Sequence, residues 1–190
     1  MRVAMYYNNQ DVRLEEMPEP RIGSGEILLR VEASGLCGSD VMEWYRIQRA
    51  PLVLGHEVSG QVVRVGSGVT RYGEGDRVVV THHVPCNACR HCLTGHHTVC
   101  DMLRETNFDP GGFSEYLRVP EINVDRGIFS IPDHVSFEEA SFTEPLACVY
   151  RGQRRANIQP GQSVLVPVSY THLRAHETEA DVVCRLLREK

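Results

Sequence analysis

The sequence contains no run of about 18 apolar residues, so nothing in it reads as a bilayer-spanning helix. Met1 to Gln10 lacks the basic-then-apolar order of a signal peptide, and the expected location is the cytoplasm. A basic surplus is missing too. The formal net charge of -5 runs against the positive stripe that phosphate backbones select, so neither nucleic acid nor membrane is an expected partner. Internal repeats and low-complexity segments are absent. No Gly-x-Gly-x-x-Gly occurs, so no dinucleotide-binding residues can be named. What is present, 190 residues of which 42% are hydrophobic, suffices for one globular domain or slightly more, with small molecules as the expected partners.

Up to about Ile131 the chain shows short β-rich runs broken by glycine and proline: Val12 to Glu16, Ile27 to Ala33, Glu57 to Val65, Arg77 to Thr81 and Phe113 to Val119. Ile27, Leu29 and Val31 alternate with Leu28, Arg30 and Glu32, as in a strand with one buried face. Such spacing predicts a mainly β fold, a compact barrel or sandwich with a few helices. The period changes at Ser136-Phe137-Glu138-Glu139, which reads as a capping box, and Phe137 to Arg155 has the composition of helix. Pro145 should divide it into two pieces. Pro160-Gly161 marks a turn, and Ser163 to Val166 opens a buried strand of the kind that begins a dinucleotide-binding unit.

Seven cysteines would suggest disulfides in a short secreted chain, but Cys86, Cys89, Cys92 and Cys100 crowd onto one loop, which in a cytosolic chain suggests metal. Four thiolates offer Zn2+ a closed tetrahedron with no place for substrate, so the loop reads as a structural zinc site; an iron-sulfur cluster or unligated thiols are the competing readings. His91, His96 and His97 read as solvated. Four more zinc-binding residue types stand apart: Cys37 in Gly35-Leu36-Cys37-Gly38-Ser39-Asp40, His56 and Glu57 in Leu54-Gly55-His56-Glu57, and Glu144 before Pro145. Taken singly, each has an ordinary structural reading as well.

Together these motifs, with Gly75-Asp76-Arg77-Val78 and Gly111-Gly112-Phe113-Ser114-Glu115-Tyr116, resemble the zinc-dependent medium-chain dehydrogenases, the alcohol dehydrogenase superfamily, over Met1 to Val166. The resemblance implies a GroES-like catalytic domain at 1–135 and, at 136–166, connecting helices with the first strand of a Rossmann domain that is otherwise cut off. It further implies one catalytic and one structural Zn2+, with NAD or NADP and a homo-oligomeric state in the full-length parent. Glutamate at position 144 is similar to the sorbitol and threonine dehydrogenase branch, which implies hydride transfer from a secondary alcohol such as a polyol, sugar alcohol or amino alcohol. By the same resemblance Cys37 and His56 ligate the catalytic ion. Glu57 and Glu144 would ligate it directly, through water or in exchange, and Ser39 would pass the substrate proton outward. Met42 stands where relatives often carry a relay histidine. A non-catalytic, zinc-stabilised binding module is the alternative; it would need the four-cysteine loop but not Cys37, His56 and Glu144.

Val168 to Thr178 resembles, residue for residue, one reading frame of a transposon-type sequencing-library adapter, and Val182 to Lys190 resembles its flow-cell end. Residues 167–190 are therefore expected to be non-native tail. Their acidic and basic residues balance, so the charge reading stands without them.

Overall fold

The computed structural model describes residues 1–164. The adapter-like tail at 167–190 lies outside the described residues, as does the end of the strand expected at 163–166. The chain divides into two units, Met1–Pro145 and Leu146–Lys190.

In the first unit eight strands form two antiparallel sheets. The strands are β1 (Arg2–Asn8), β2 (Asp11–Glu16), β3 (Ile27–Gly35), β4 (Leu52–Val53), β5 (Glu57–Val65), β6 (Arg77–Thr81), β7 (Tyr116–Val119) and β8 (Ile128–Ser130). The small sheet has the order β2-β1-β4 and the large one β7-β3-β5-β6-β8. Ile27, Leu29, Val58, Val62, Val78, Val80, Leu117 and Val119 share one buried cluster, the apolar side of the large sheet.

Two bulges interrupt the pairing of β3 with β5. Leu28 faces Arg64 while Leu29 faces Val62, leaving Val63 over; Val31 faces Gly60 while Ala33 faces Ser59, leaving Glu32 over. Leu28, expected on the polar face, is fully buried beside the first bulge, where strict alternation is lost. β1, which the sequence reading passed over, buries Val3 and Tyr6, a spacing of three that breaks the period of a half-buried strand. The strand expected at Phe113 begins only at Tyr116, because the Ser114 hydroxyl donates to the Gly111 and Tyr116 carbonyls and holds the preceding residues in a turn.

Ser136 caps its helix as expected. Its Oγ accepts from the Glu139 N–H at 3.1 Å, and its own N–H donates to Glu139 Oε2 at 2.8 Å. That helix, Phe137–Ser141, packs on β3 and β5, and the Ser59 hydroxyl donates to the Phe137 carbonyl at 2.6 Å. The break before the next helix, Thr143–Arg155, falls at Phe142 and not at Pro145. Pro145 sits in the first turn, where a missing N–H leaves no helical hydrogen bond unmade. In the second unit that helix is followed by a turn through Asn157 and Gly161, both at positive φ.

Candidate metal centres

Pairing register assembles the first centre. Gly35 at the end of β3 lies opposite Glu57 at the start of β5, and Glu57 lies opposite Thr81 at the end of β6. Three segments therefore leave the sheet at the same end: Cys37 just past β3, His56 just before β5, and His82 and His83 just past β6. One ligand atom from each of Cys37, His56 and Glu57 lies within 4.8 Å of the others. Gly35 makes room for this. A Cβ there would stand 2.0 Å from Glu57 Oε2, so the carboxylate occupies the space that any side chain would need.

Asp40 organises the surroundings and is only 2% exposed. Its Oδ2 accepts from the Cys37 N–H at 3.0 Å, while Oδ1 stands 3.5 Å from both His56 Nδ1 and Arg46 Nη2. Arg46 donates to the Ser39 carbonyl at 2.9 Å and to Ser39 Oγ at 3.0 Å. Burial works against a charged His56, yet Asp40 and Cys37 together push its pKa up to about 10. In return His56, opposed by burial and aided by Ser39, holds the Cys37 thiol below its ordinary value. The pocket thus stabilises a cation at His56 and an anion at Cys37. A divalent ion among sulfur, imidazole and carboxylate meets that demand better than a proton, so these residues fit Zn2+.

The His82 ring packs at a tilt against both neighbours, its centroid 4.7 Å from that of His56 and 3.9 Å from that of His83. Burial first, then His83, His56 and Arg46, push the His82 pKa down to about 3, so its imidazole is neutral. Burial lowers His83 too, although Nδ1 lies 2.6 Å from the Thr106 carbonyl. Asn123 Nδ2 pins the end of β6 by donating to the Thr81 and His82 carbonyls.

Ser39, His56, His82 and Arg46 line one cavity of about 230 Å3. Glu144 is not in the convergent set; its carboxylate lies near enough to His83 to favour that ring's charged form. Sequence reasoning assigned no part to Asp40, Arg46, His82 or His83. Asp40 stands in the quoted cysteine motif, and the paired histidines directly after an apolar strand are the only signal the others left.

Cys86, Cys89, Cys92 and Cys100 form the second convergent set, their sulfurs within 4.8 Å of one another and none in a disulfide. Asn87 at φ 57° turns the loop so that the N–H groups of Ala88 and Cys89 both donate to Cys86 Sγ, at 3.4 and 3.2 Å. Those two donors pull the Cys86 thiol down to about 6, whereas burial and the neighbouring sulfurs push Cys92 up to about 12. Four thiols around one point, with backbone donors aimed at a sulfur, fit a closed structural Zn2+ site. His91, His96 and His97 lie outside this set.

The chain is similar to proteins of one known family. Residues 23–133 match the family described as "Alcohol dehydrogenase GroES-like domain". The chain is 33% identical over 175 residues to the sorbitol dehydrogenase of Bacillus subtilis (strain 168), a match covering 87% of this chain and 48% of that protein. It is 38% identical over 139 residues to the L-threonine 3-dehydrogenase of Rhizobium etli (strain CIAT 652), covering 70% and 39% respectively. Among solved structures, 2R,3R-butanediol dehydrogenase from Bacillus subtilis superposes with a TM-score of 0.68 at 30% identity, over 84% of this chain and 48% of that one. The chain spans about half the length of the curated relatives it matches. With the family match covering more than half of its residues, the chain belongs to the alcohol dehydrogenase GroES-like domain family.

Proposed function

We propose that this chain is the metal-binding, substrate-holding portion of a zinc-dependent cytoplasmic dehydrogenase that oxidises a secondary alcohol with NAD or NADP as hydride acceptor. Polyols, sugar alcohols and amino alcohols are the proposed substrate class. The observation that carries this reading is the convergence of Cys37, His56 and Glu57 at one end of the sheet, beside a cavity that Ser39 and His56 line. Relatives named for a polyol, a hydroxy amino acid and a diol support the substrate class. Among the described residues no helix is long and apolar enough to cross a membrane.

Cys37, His56 and Glu57 would hold the catalytic ion, and Glu144 would exchange with Glu57 as the approaching carboxylate. Bound there, Zn2+ supplies a Lewis acid that lowers the pKa of an alcohol hydroxyl. The remaining work falls to the chain itself. Asp40 fixes the Cys37 backbone and faces His56, which orients the imidazole. Ser39 Oγ accepts one hydrogen bond from Arg46 and stands beside the Cys37 sulfur, whose anion it favours, so its hydroxyl would pass a substrate proton on from the metal side of the cavity. His82, held neutral, adds no second cation beside the ion. The four-cysteine loop would carry a structural Zn2+.

Elemental analysis of the purified chain should give two zinc ions, and Cys37→Ala should lower this to one with the circular dichroism spectrum kept. In the longer protein that contains this portion, the same substitution should abolish polyol-dependent formation of reduced nicotinamide. Unchanged zinc content and turnover in Cys37→Ala would overturn the reading.

A further inference from the structure

The wall of the cavity beside Cys37, His56 and Glu57 holds more cationic side chains than acidic ones. Arg46 and Arg49 both line it, together with Ser39, His56, His83 and Asn107. Arg46 is committed: it donates twice to Ser39 and faces Asp40 at 3.5 Å. Asp40 is the one acidic residue in the cavity wall, and it already lies between Arg46 and His56. Arg49 forms no ion pair with any described residue. Among the described residues its partner is the Tyr45 ring, over which its guanidinium lies 5.9 Å from the centroid, with Arg46 4.8 Å from the same ring. Stacking of that kind steadies a guanidinium while leaving its edge N–H groups free to meet two anionic oxygens at once.

We infer that Arg49 selects an alcohol substrate bearing an anionic group, a carboxylate or a phosphate, seated in this cavity with its hydroxyl toward Cys37 and His56. The cavity, about 230 Å3, lies below the roughly 300 Å3 lower end of drug-sized pockets, so the preferred molecule is short. The inference rests on the proposed dehydrogenase reading only for the identity of the alcohol; the anion site itself stands on the cavity and its arginines. Arg49 acts on the far end of the substrate, so it is a specificity-determining residue.

The test is calorimetric titration of the zinc-loaded chain with sorbitol, gluconate, sorbitol 6-phosphate and inorganic phosphate, with zinc content measured on the same samples. Gluconate or sorbitol 6-phosphate should bind at least tenfold more tightly than sorbitol, since a charge-assisted hydrogen bond is worth about that factor or more. The preference should shrink as salt is raised. Arg49→Gln should remove it, and Arg49→Lys should restore part of it by returning the charge without the fork. Equal affinity for neutral and anionic probes, or a preference that survives Arg49→Gln, would overturn the inference. Anion preference in a chain that takes up zinc only at the four-cysteine loop would leave this inference standing and remove the proposed catalytic ion. Two bound zinc ions without anion preference would do the reverse.

Discussion

Replacing Gly35 with alanine disturbs the first metal centre without altering any residue that would touch the ion. A Cβ at that position stands 2.0 Å from Glu57 Oε2, 3.1 Å from its Cβ and 3.2 Å from its Cδ. Non-bonded heavy atoms settle at roughly 3.5 Å, so the carboxylate oxygen must retreat by about 1.5 Å while the stem yields a few tenths. Glu57 is 1% exposed, and the displaced group meets packed surroundings in place of water. Overpacking of this kind costs about 1–3 kcal/mol, a fall in Tm of roughly 2–12 °C for a chain of this size. Functional sites tolerate displacements of only about 0.5 Å, so Glu57 should leave the ligand set. Even loss of a residue that merely supports a ligand weakens metal binding about 10- to 100-fold, and loss of a ligand should do at least as much. Competition with a chromophoric chelator measures this directly, and the four-cysteine loop serves as an internal reference because Gly35 is no part of it. A Gly35→Ala chain that keeps both zinc ions at unchanged affinity would show that the Glu57 carboxylate is not needed there.

Two further outcomes follow from other parts of the structure. Asn123 is fully buried and serves two carbonyls at the end of β6, so Asn123→Ala should cost about 1–3 kcal/mol in thermal unfolding and should also weaken zinc binding at His56, against which the His82 ring packs at a tilt. A loss under about 0.5 kcal/mol would refute that account. Zinc uptake by the four-cysteine loop should release protons at pH 7, because Cys92 titrates at about 12 and must surrender its proton to bind. Affinity should rise with pH through neutrality and fall fastest as pH drops through about 6, where Cys86 is protonated as well. Calorimetry in buffers of different ionisation enthalpy would detect the release, and its absence would contradict the assignment.

The legibility of this molecule depended on how local each feature is. The four-cysteine loop could be read directly, since all its ligands fall between Cys86 and Cys100 and the loop need only turn back on itself. Cys37, His56 and Glu57 could be named through family resemblance. Their convergence could not be derived from the sequence, because it depends on a β3–β5 register that passes through bulges at Val63 and Glu32, and bulges leave little trace in hydrophobic pattern. Asp40, Arg46 and His82 escaped notice because each acquires its role from partners brought to it across space. β4 and β8, of two and three residues, are too short to show a period, and β1 shows the wrong one. The main strands β3, β5 and β6 were legible because turn-forming glycines bound their β-branched runs.

The pairing of Gly35 with Glu57 also bears on the order in which this chain can come together. Closing a loop costs more entropy as it lengthens, by about 0.6 kcal/mol for each doubling, and contacts close in sequence form soonest. The β3–β5 ladder closes a short loop, whereas pairing of Arg30 with Tyr116 on the other side of β3 must wait for most of the domain. Cys37, His56 and Glu57 therefore belong to the early, inexpensive hairpin, and the edge strand β7 is the late addition.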